Sequence, residues 1–148
     1  MADNIQNFFS EEAKSSIVAE VKTAEKETSG EVRVHIENRC KGDVMDCAAF
    51  MFEKLEMHKT ELRNGVLFYL AVKDHKFAIL GDAGINAVVP DNFWDEVKER
   101  MFDEFKEGRF TEGLIKGIQM AGIKLKEFFP YQQDDVNELS DDISFGNN

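Results

Sequence analysis

Apolar residues in the first third of the chain follow a helical period and then a strand period. From Ser10, which can cap a helix, they recur at steps of three and four residues as far as Thr28. A Ser-Gly pair ends this predicted helix. Apolar and polar residues then alternate in Glu31–Glu37, which predicts a strand near a sheet edge with His35 on its solvent-exposed face.

A second helix and a second strand complete a βαβ unit. Asp43 begins the helix, and residues 66–72 form an almost continuous apolar run after it. Such a run is typical of a central strand that is covered on both faces. Because the crossover is right-handed, this strand is expected to lie parallel to Glu31–Glu37.

The second half of the chain predicts one more strand and two more helices. Residues 76–80 follow a Lys-Asp-His turn, so their strand is antiparallel to residues 66–72. A third helix follows Pro90, and a fourth begins at Thr111 and stops at Pro130. The predicted fold is α/β: a three-layer αβα sandwich in which a small mixed sheet is flanked by about four helices.

Composition divides the chain into one domain with two flanking segments. At 148 residues and 43% hydrophobic, the chain has enough apolar material for a single core. We expect residues 1–9 to be a lead-in, residues 10–129 to form the domain, and residues 130–148 to be an acidic, flexible tail. Alternatively, the tail could dock onto a protein partner through its spaced apolar residues, which are Val136, Leu139, Ile143 and Phe145.

Net charge and cysteine content limit the partners and the compartment. The formal net charge of −11 argues against binding to nucleic acid or anionic membranes. No apolar run approaches the roughly 20 residues that span a bilayer, and the N-terminus lacks the features of a signal peptide. Cys40 and Cys47 are too few for a disulfide framework or a zinc site. We therefore expect two reduced, structural thiols in a soluble, cytoplasmic protein.

Oxygen-bearing residues flank the three predicted strands at one end of the sheet. Glu31 begins the first strand, Asn64 and Gly65 begin the parallel second strand, and Asp82 follows the antiparallel third strand. Asp91, at the entry to the third helix, could return to the same place. Calcium accepts about six to eight carboxylate, amide and carbonyl oxygens in loose geometry. The sequence therefore predicts a calcium site built from these five residues.

Each of these residues also has a purely structural interpretation. Asp82 can shape a turn, and Asp91 can cap the third helix. Glu31 can be a solvated glutamate on a strand, and the Asn64-Gly65 pair can be only a turn. The argument for a metal site therefore depends on the predicted convergence of all of them.

Several segments, in order and at the expected separations, resemble the TPM domain family. The likeness covers most of residues 8–129, and its main segments are 29–34 (SGEVRV), 64–67 (NGVL), 81–85 (GDAGI), 89–91 (VPD), 105–110 (FKEGRF) and the glycine-containing fourth helix. The resemblance implies an αβα sandwich with an acidic depression that takes up calcium. Family members include plant proteins of photosystem II repair, with a proposed acid phosphatase activity, and membrane-anchored bacterial proteins. We expect this chain to be a stand-alone cytoplasmic version.

Two positions depart from the family pattern and make the predicted site less acidic. Arg63 stands where the family commonly has Asp before the Asn-Gly pair, and Asn86 stands where it often has Glu.

The leading hypothesis is a calcium-binding TPM domain that acts as a regulatory or protein-interaction module. The alternative is a metal-assisted acid phosphatase acting on phosphomonoesters, for which Arg63 and Asp82 are the nominees.

Overall fold

The computed structural model describes residues 5–132 and 137–146. These residues form five α-helices and four β-strands, together with two short 3₁₀ helices at Ile5–Asn7 and Met57–Lys59. In chain order the elements are α1 (Glu11–Glu27), β1 (Glu31–Glu37), α2 (Val44–Lys54), β2 (Gly65–Ala71), β3 (Lys76–Gly81), α3 (Ala83–Asn86), α4 (Asp95–Phe105), α5 (Phe110–Phe128) and β4 (Ser144–Phe145).

The sheet has the strand order β3-β2-β1-β4 and mixed directions. β1 and β2 are parallel, with Glu31 opposite Gly65, as the predicted βαβ unit requires. β2 and β3 are antiparallel, with Val66 opposite Gly81, as the predicted hairpin requires. The buried central strand is β2, in which all seven residues are buried.

Helices cover both faces of the sheet. Alternate residues of β2 point to opposite faces, so Phe68 packs in the core beneath α1, α4 and α5, whereas Leu67 packs in the smaller core beneath α2. Each fully buried side chain of this size stabilises the fold by roughly 1.5–3 kcal/mol. The predicted αβα sandwich is confirmed.

Side-chain caps mark the first turns of α1 and α2, whereas α4 begins without one. Ser10 Oγ accepts a hydrogen bond from the Ala13 amide at 3.0 Å, and the Asp43 side chain caps α2 in the same way. α4 begins at Asp95, later than predicted, because residues 91–94 form turns. The residue before α4 is Trp94, which makes no side-chain cap, so Asp91 is not its cap.

Residues 137–146 pack onto the domain, whereas composition predicts that they belong to a flexible tail. β4 pairs in parallel with β1, so β1 is an inner strand of the sheet. His35 is consequently only 1% exposed, and its predicted place on a solvent-exposed face is wrong. Of the apolar residues proposed to dock a partner, Ile143 and Phe145 pack against the domain's own core. Val136 lies outside the described residues.

Cys40 and Cys47 are joined by a disulfide bond, so the expectation of two free thiols is wrong. The turn that enters α2 brings their Cα atoms to 6.1 Å, within the range that a disulfide can span. Two cysteines are too few for a disulfide framework, but a single local bridge needs only this proximity. The cysteines therefore no longer support a reducing compartment.

Candidate cation site at the rim of the sheet

The first residues of β1 and β2 and the last residue of β3 lie at one end of the sheet, which we call the rim. The Glu31 amide donates to the Asn64 carbonyl at 3.0 Å, and the Asp82 amide donates to the Gly65 carbonyl at 2.9 Å. The backbone therefore holds these four residues side by side across three strands. Their side chains, however, have different partners.

Glu31 is a buried carboxylate and not a solvated one, because only 4% of the residue is exposed. Its Oε1 accepts hydrogen bonds from the backbone amides of Glu138 at 2.5 Å and Leu139 at 2.8 Å. Burial raises the pKa of the Glu31 carboxyl group above its usual range, although these two amides act in the opposite direction. The rim carboxylate thus holds the C-terminal segment against the sheet.

A second acid, the partly buried Glu25 of α1, lies beside Glu31. Its Oε2 accepts a hydrogen bond from the Val32 amide at 3.0 Å. Burial, followed by a hydrogen bond with Asp141, raises the pKa of Glu25 to about 9, and the charge of Glu31 adds to this effect. The Glu25 carboxyl group is therefore expected to keep its proton at neutral pH, first because burial disfavours its charged form and second because acids lie beside it.

Sequence reasoning missed Glu25 and Asp141 as members of the rim. A signal for Glu25 was present, because it lies four residues after buried Val21 and so continues the apolar stripe of α1. Asp141 gave no such signal, since it belongs to the segment expected to be flexible. The two acids line a cavity of about 290 Å³ together with Glu31.

Asn64 leaves one polar atom without a partner at the rim. Its Nδ2 donates to the Ser29 carbonyl at 2.6 Å, whereas its Oδ1 is buried and accepts no hydrogen bond from the described residues. An unsatisfied buried acceptor of this kind costs about 1–3 kcal/mol. A ligand that binds this oxygen would recover that free energy.

The carboxylate of Asp82 is already neutralised by Arg63. The Arg63 guanidinium donates from Nε to Oδ2 at 2.7 Å and from Nη2 to Oδ1 at 2.8 Å, in a two-pronged ion pair. Oδ1 also accepts the Ala83 amide at 2.7 Å, which caps α3. The turn-shaping role of Asp82 is therefore present, and a cation would have to displace Arg63 to reach both oxygens.

Asp91 is not brought to the other four residues by any hydrogen bond or ion pair of the described chain. It lies exposed in the turns before α4. Across residues 5–132 and 137–146, no three His, Cys, Asp or Glu side chains are arranged to hold a metal ion. Glu31 and the Asn64 Oδ1 thus suit a hard cation as they stand, whereas Asp82 and Asp91 do not.

The fold and the rim define the class of protein, an α/β sandwich with a mixed four-stranded sheet and buried acids where its parallel strands begin. The family model described as the TPM domain matches residues 3–123, and the chain belongs to this family. The resemblance noted in the sequence is therefore confirmed.

Solved structures share the fold of this chain. The chain is similar to the BA42 protein of the psychrophilic bacterium Bizionia argentinensis, with 46% identity, a TM-score of 0.91, and coverage of 97% of this chain and 99% of that one. An N-terminal domain from P. gingivalis shares the fold at 15% identity and a TM-score of 0.68, over 86% of this chain and 83% of that one. A comparison with curated proteins gives no match. Among the described residues, no helix is long and apolar enough to cross a bilayer.

Proposed function

We propose that this TPM domain binds a divalent cation, calcium, at the rim and acts as a regulatory or protein-interaction module. The observation that carries the proposal is that Glu25, Glu31 and Asp141 line one cavity at the rim, where burial and then the neighbouring acids raise the pKa of Glu25 to about 9. A cation bound among these acids would replace the retained proton. Oxygen donors in a loose arrangement suit calcium better than magnesium.

Glu31 and Asn64 are the central donors in this proposal. The Asn64 Oδ1 has no partner in the described chain, and Glu31 has a second oxygen beside the one that accepts two amides. The Gly65 carbonyl accepts one hydrogen bond, from Asp82, and a carbonyl oxygen has two lone pairs. Asp82 would contribute once Arg63 leaves it, and Asp91 only if the turns before α4 move.

The regulatory part of the proposal is supported by the second role of Glu31. The same carboxylate that would bind the cation also holds the amides of Glu138 and Leu139. Cation binding would therefore change what holds residues 137–146 against β1. A protein partner could respond to the position of this segment.

Calorimetric titration with calcium at pH 7 tests the proposal directly. We expect saturable binding with release of about one proton, measured as a dependence of the heat on the buffer, because metal binding deprotonates its site. Glu31→Gln is expected to weaken binding at least about tenfold. The control Glu99→Gln removes an exposed acid of α4 and is expected to leave binding unchanged. Equal binding by both variants would reject the site.

Arg63 offers a second, opposite test. Arg63→Ala frees Asp82 and is expected to tighten calcium binding, whereas the double variant with Asp82→Ala is expected to lose this gain. Arg109→Ala is a matched control, since Arg109 forms a similarly exposed ion pair with Glu104 at 2.6 Å outside the rim. If Arg63→Ala and Arg109→Ala have the same effect, Asp82 is not a ligand.

The alternative function, a metal-assisted phosphatase, has less support. Its two nominees, Arg63 and Asp82, are hydrogen-bonded to each other, so neither is placed as a free phosphate clamp or base. Hydrolysis of a generic phosphomonoester with calcium, magnesium or manganese, abolished by Asp82→Asn, would favour it over the binding module.

A further inference from the structure

A large groove lies at the opposite end of β1 from the rim. It encloses about 860 Å³ and is lined by the end of β1, residues 39–41 of the loop that leads to α2, α2 itself and β4. β1, β2 and β4 are parallel, so their carboxyl ends meet at this end of the sheet. In open α/β sheets, ligands characteristically bind beyond the carboxyl ends of the strands.

Four polar side chains form a continuous chain of hydrogen bonds beside this groove. Ser144 Oγ lies 2.9 Å from His35 Nδ1, and His35 Nε2 lies 3.0 Å from Glu37 Oε1. The Tyr69 hydroxyl bonds to the other Glu37 oxygen. His35, Glu37 and Tyr69 are at most 6% exposed, whereas Ser144 is only half-buried and lines the groove.

The chemistry of these groups sets the direction of every hydrogen bond. Burial and the Glu37 carboxylate raise the pKa of the Tyr69 hydroxyl, so it keeps its proton and donates. Glu37 accepts from Tyr69 and from His35 Nε2, which is therefore the protonated ring nitrogen. In the neutral imidazole Nδ1 is then an acceptor, and the Ser144 hydroxyl donates to it. This is the arrangement of an activated nucleophile, its base and an orienting acid.

We propose that Ser144, His35 and Glu37 form a nucleophile relay that hydrolyses carboxylic esters bound in the groove. Ser144 Oγ attacks the ester carbonyl carbon while its proton passes to His35 Nδ1. The bond to the leaving alcohol then breaks, and His35 returns the proton to that oxygen. Water, deprotonated by the same nitrogen, attacks the acyl-serine and releases the carboxylic acid and free Ser144. Glu37 is a positioning residue that holds the imidazole in the required tautomer.

The walls of the groove define the class of ester. Phe50 is 65% exposed, and with Met51 and Leu55 it provides an apolar surface for an acyl chain. Three cationic residues also line the groove and outnumber its two acids, Glu37 and Asp46; they are Arg39, Lys41 and Lys54. In a protein of net charge −11, this local positive charge favours a substrate that carries an anionic group near its apolar acyl chain.

Labelling with an alkyl fluorophosphonate tests the nucleophile. The reagent forms a covalent bond to an activated serine and releases fluoride, so we expect one adduct on the peptide that contains Ser144. Ser144→Ala is expected to lose the adduct and to reduce hydrolysis of a short-chain nitrophenyl ester by about 100-fold or more. Ser140→Ala, in the same segment but outside the relay, is the control and should retain both properties.

Two further variants separate catalysis from a merely structural role. Glu37→Gln is expected to lower kcat with little change in KM, because it disturbs the tautomer of His35 and not the groove. Ser144→Cys should react with iodoacetamide at least tenfold faster than Ser140→Cys. Only the side chain at position 144 lies within hydrogen-bond distance of His35 Nδ1, which can accept the thiol proton. No adduct on Ser144, or full hydrolysis by Ser144→Ala, or equal thiol reactivity, would each overturn the proposal. None of these measurements uses calcium, so their failure would leave the proposed calcium site at the rim undecided.

Discussion

The two ends of β1 hold carboxylates in opposite electrostatic situations. At the rim, Glu31 faces other acids, and burial together with the neighbouring acids Asp141 and Glu31 raises the pKa of Glu25. At the groove, Glu37 receives hydrogen bonds from both His35 and Tyr69. The rim acids accept backbone amides but lie beside further acids, whereas Glu37 lies between two side-chain donors. The comparison teaches that the groups around an acid, together with its burial, determine what the acid can do.

One segment of the chain connects these two ends. The amides of Glu138 and Leu139 bond to Glu31 at the rim, and the Ser144 hydroxyl bonds to His35 at the groove. Because β4 also pairs with β1, residues 137–146 follow the strand from one end to the other. A change at either end can therefore alter the segment that serves the other.

Of the variants considered, Gly84→Ala, beside the rim, is expected to lower the free energy of unfolding the most. A Cβ at this position would lie 2.2 Å from the Leu62 carbonyl oxygen and 2.6 Å from that of Arg63, and both are backbone atoms with little freedom to move. We expect a loss of about 3 kcal/mol in the free energy of unfolding, measured by urea denaturation.

Gly30→Ala is the matched control for this prediction. Its Cβ would lie 3.3 Å from the end of the Leu125 side chain, which can adjust, and at ordinary contact distance, 3.5 Å, from Thr28 Oγ1. We expect a change below about 1 kcal/mol. A comparable loss in both variants would mean that the rim tolerates the close approach of Gly84.

Tyr69→Phe is expected to weaken the groove end by removing one donor from Glu37. A hydrogen bond to a charged group contributes about 1.5–3 kcal/mol, so we expect a loss of about 2 kcal/mol in the same measurement. Tyr131→Phe is the control, because Tyr131 is 50% exposed and should tolerate the change. An unchanged stability of Tyr69→Phe would contradict the full engagement of Glu37.

Stability is expected to depend on pH through the rim acid Glu25. Its pKa is about 9 in the folded protein, against its usual 4.5, so the folded state binds more protons between these values. Stability therefore falls as pH rises across this range, by on the order of 1–2 kcal/mol once solvent screening of this partly exposed group is allowed for. Thermal unfolding at pH 5, 7 and 9 measures the slope, and Glu25→Gln should flatten it. A slope unchanged in this variant would assign the effect to another group.

Much of the fold follows from local patterns in the sequence. The alternation in Glu31–Glu37 and the apolar run that follows α2 predicted two parallel strands, and Ser10 predicted the start of α1. These features depend on neighbours within a few residues. α3 was not predicted, because four residues capped by Asp82 carry too little periodicity to distinguish a helix from a turn.

For the candidate sites, the sequence predicted the backbone positions of the residues but not the partners of their side chains. The topology predicted that Glu31, Asn64 and Asp82 begin or end strands at one end of the sheet, and they do. It did not predict that Arg63 occupies the carboxylate of Asp82, because a side chain's choice between solvent and a neighbour depends on geometry.

The sequence by itself determined the order of the elements other than α3 and β4, the two faces of the sheet and the family of this protein. Only the tertiary structure decided which polar groups meet, since the bond from Glu138 to Glu31 spans 107 residues and that from Ser144 to His35 spans 109. Periodicity records which side of an element is buried. It carries no information about which distant segment covers that side, and the covering segment supplies the partners that set the charge of a buried acid.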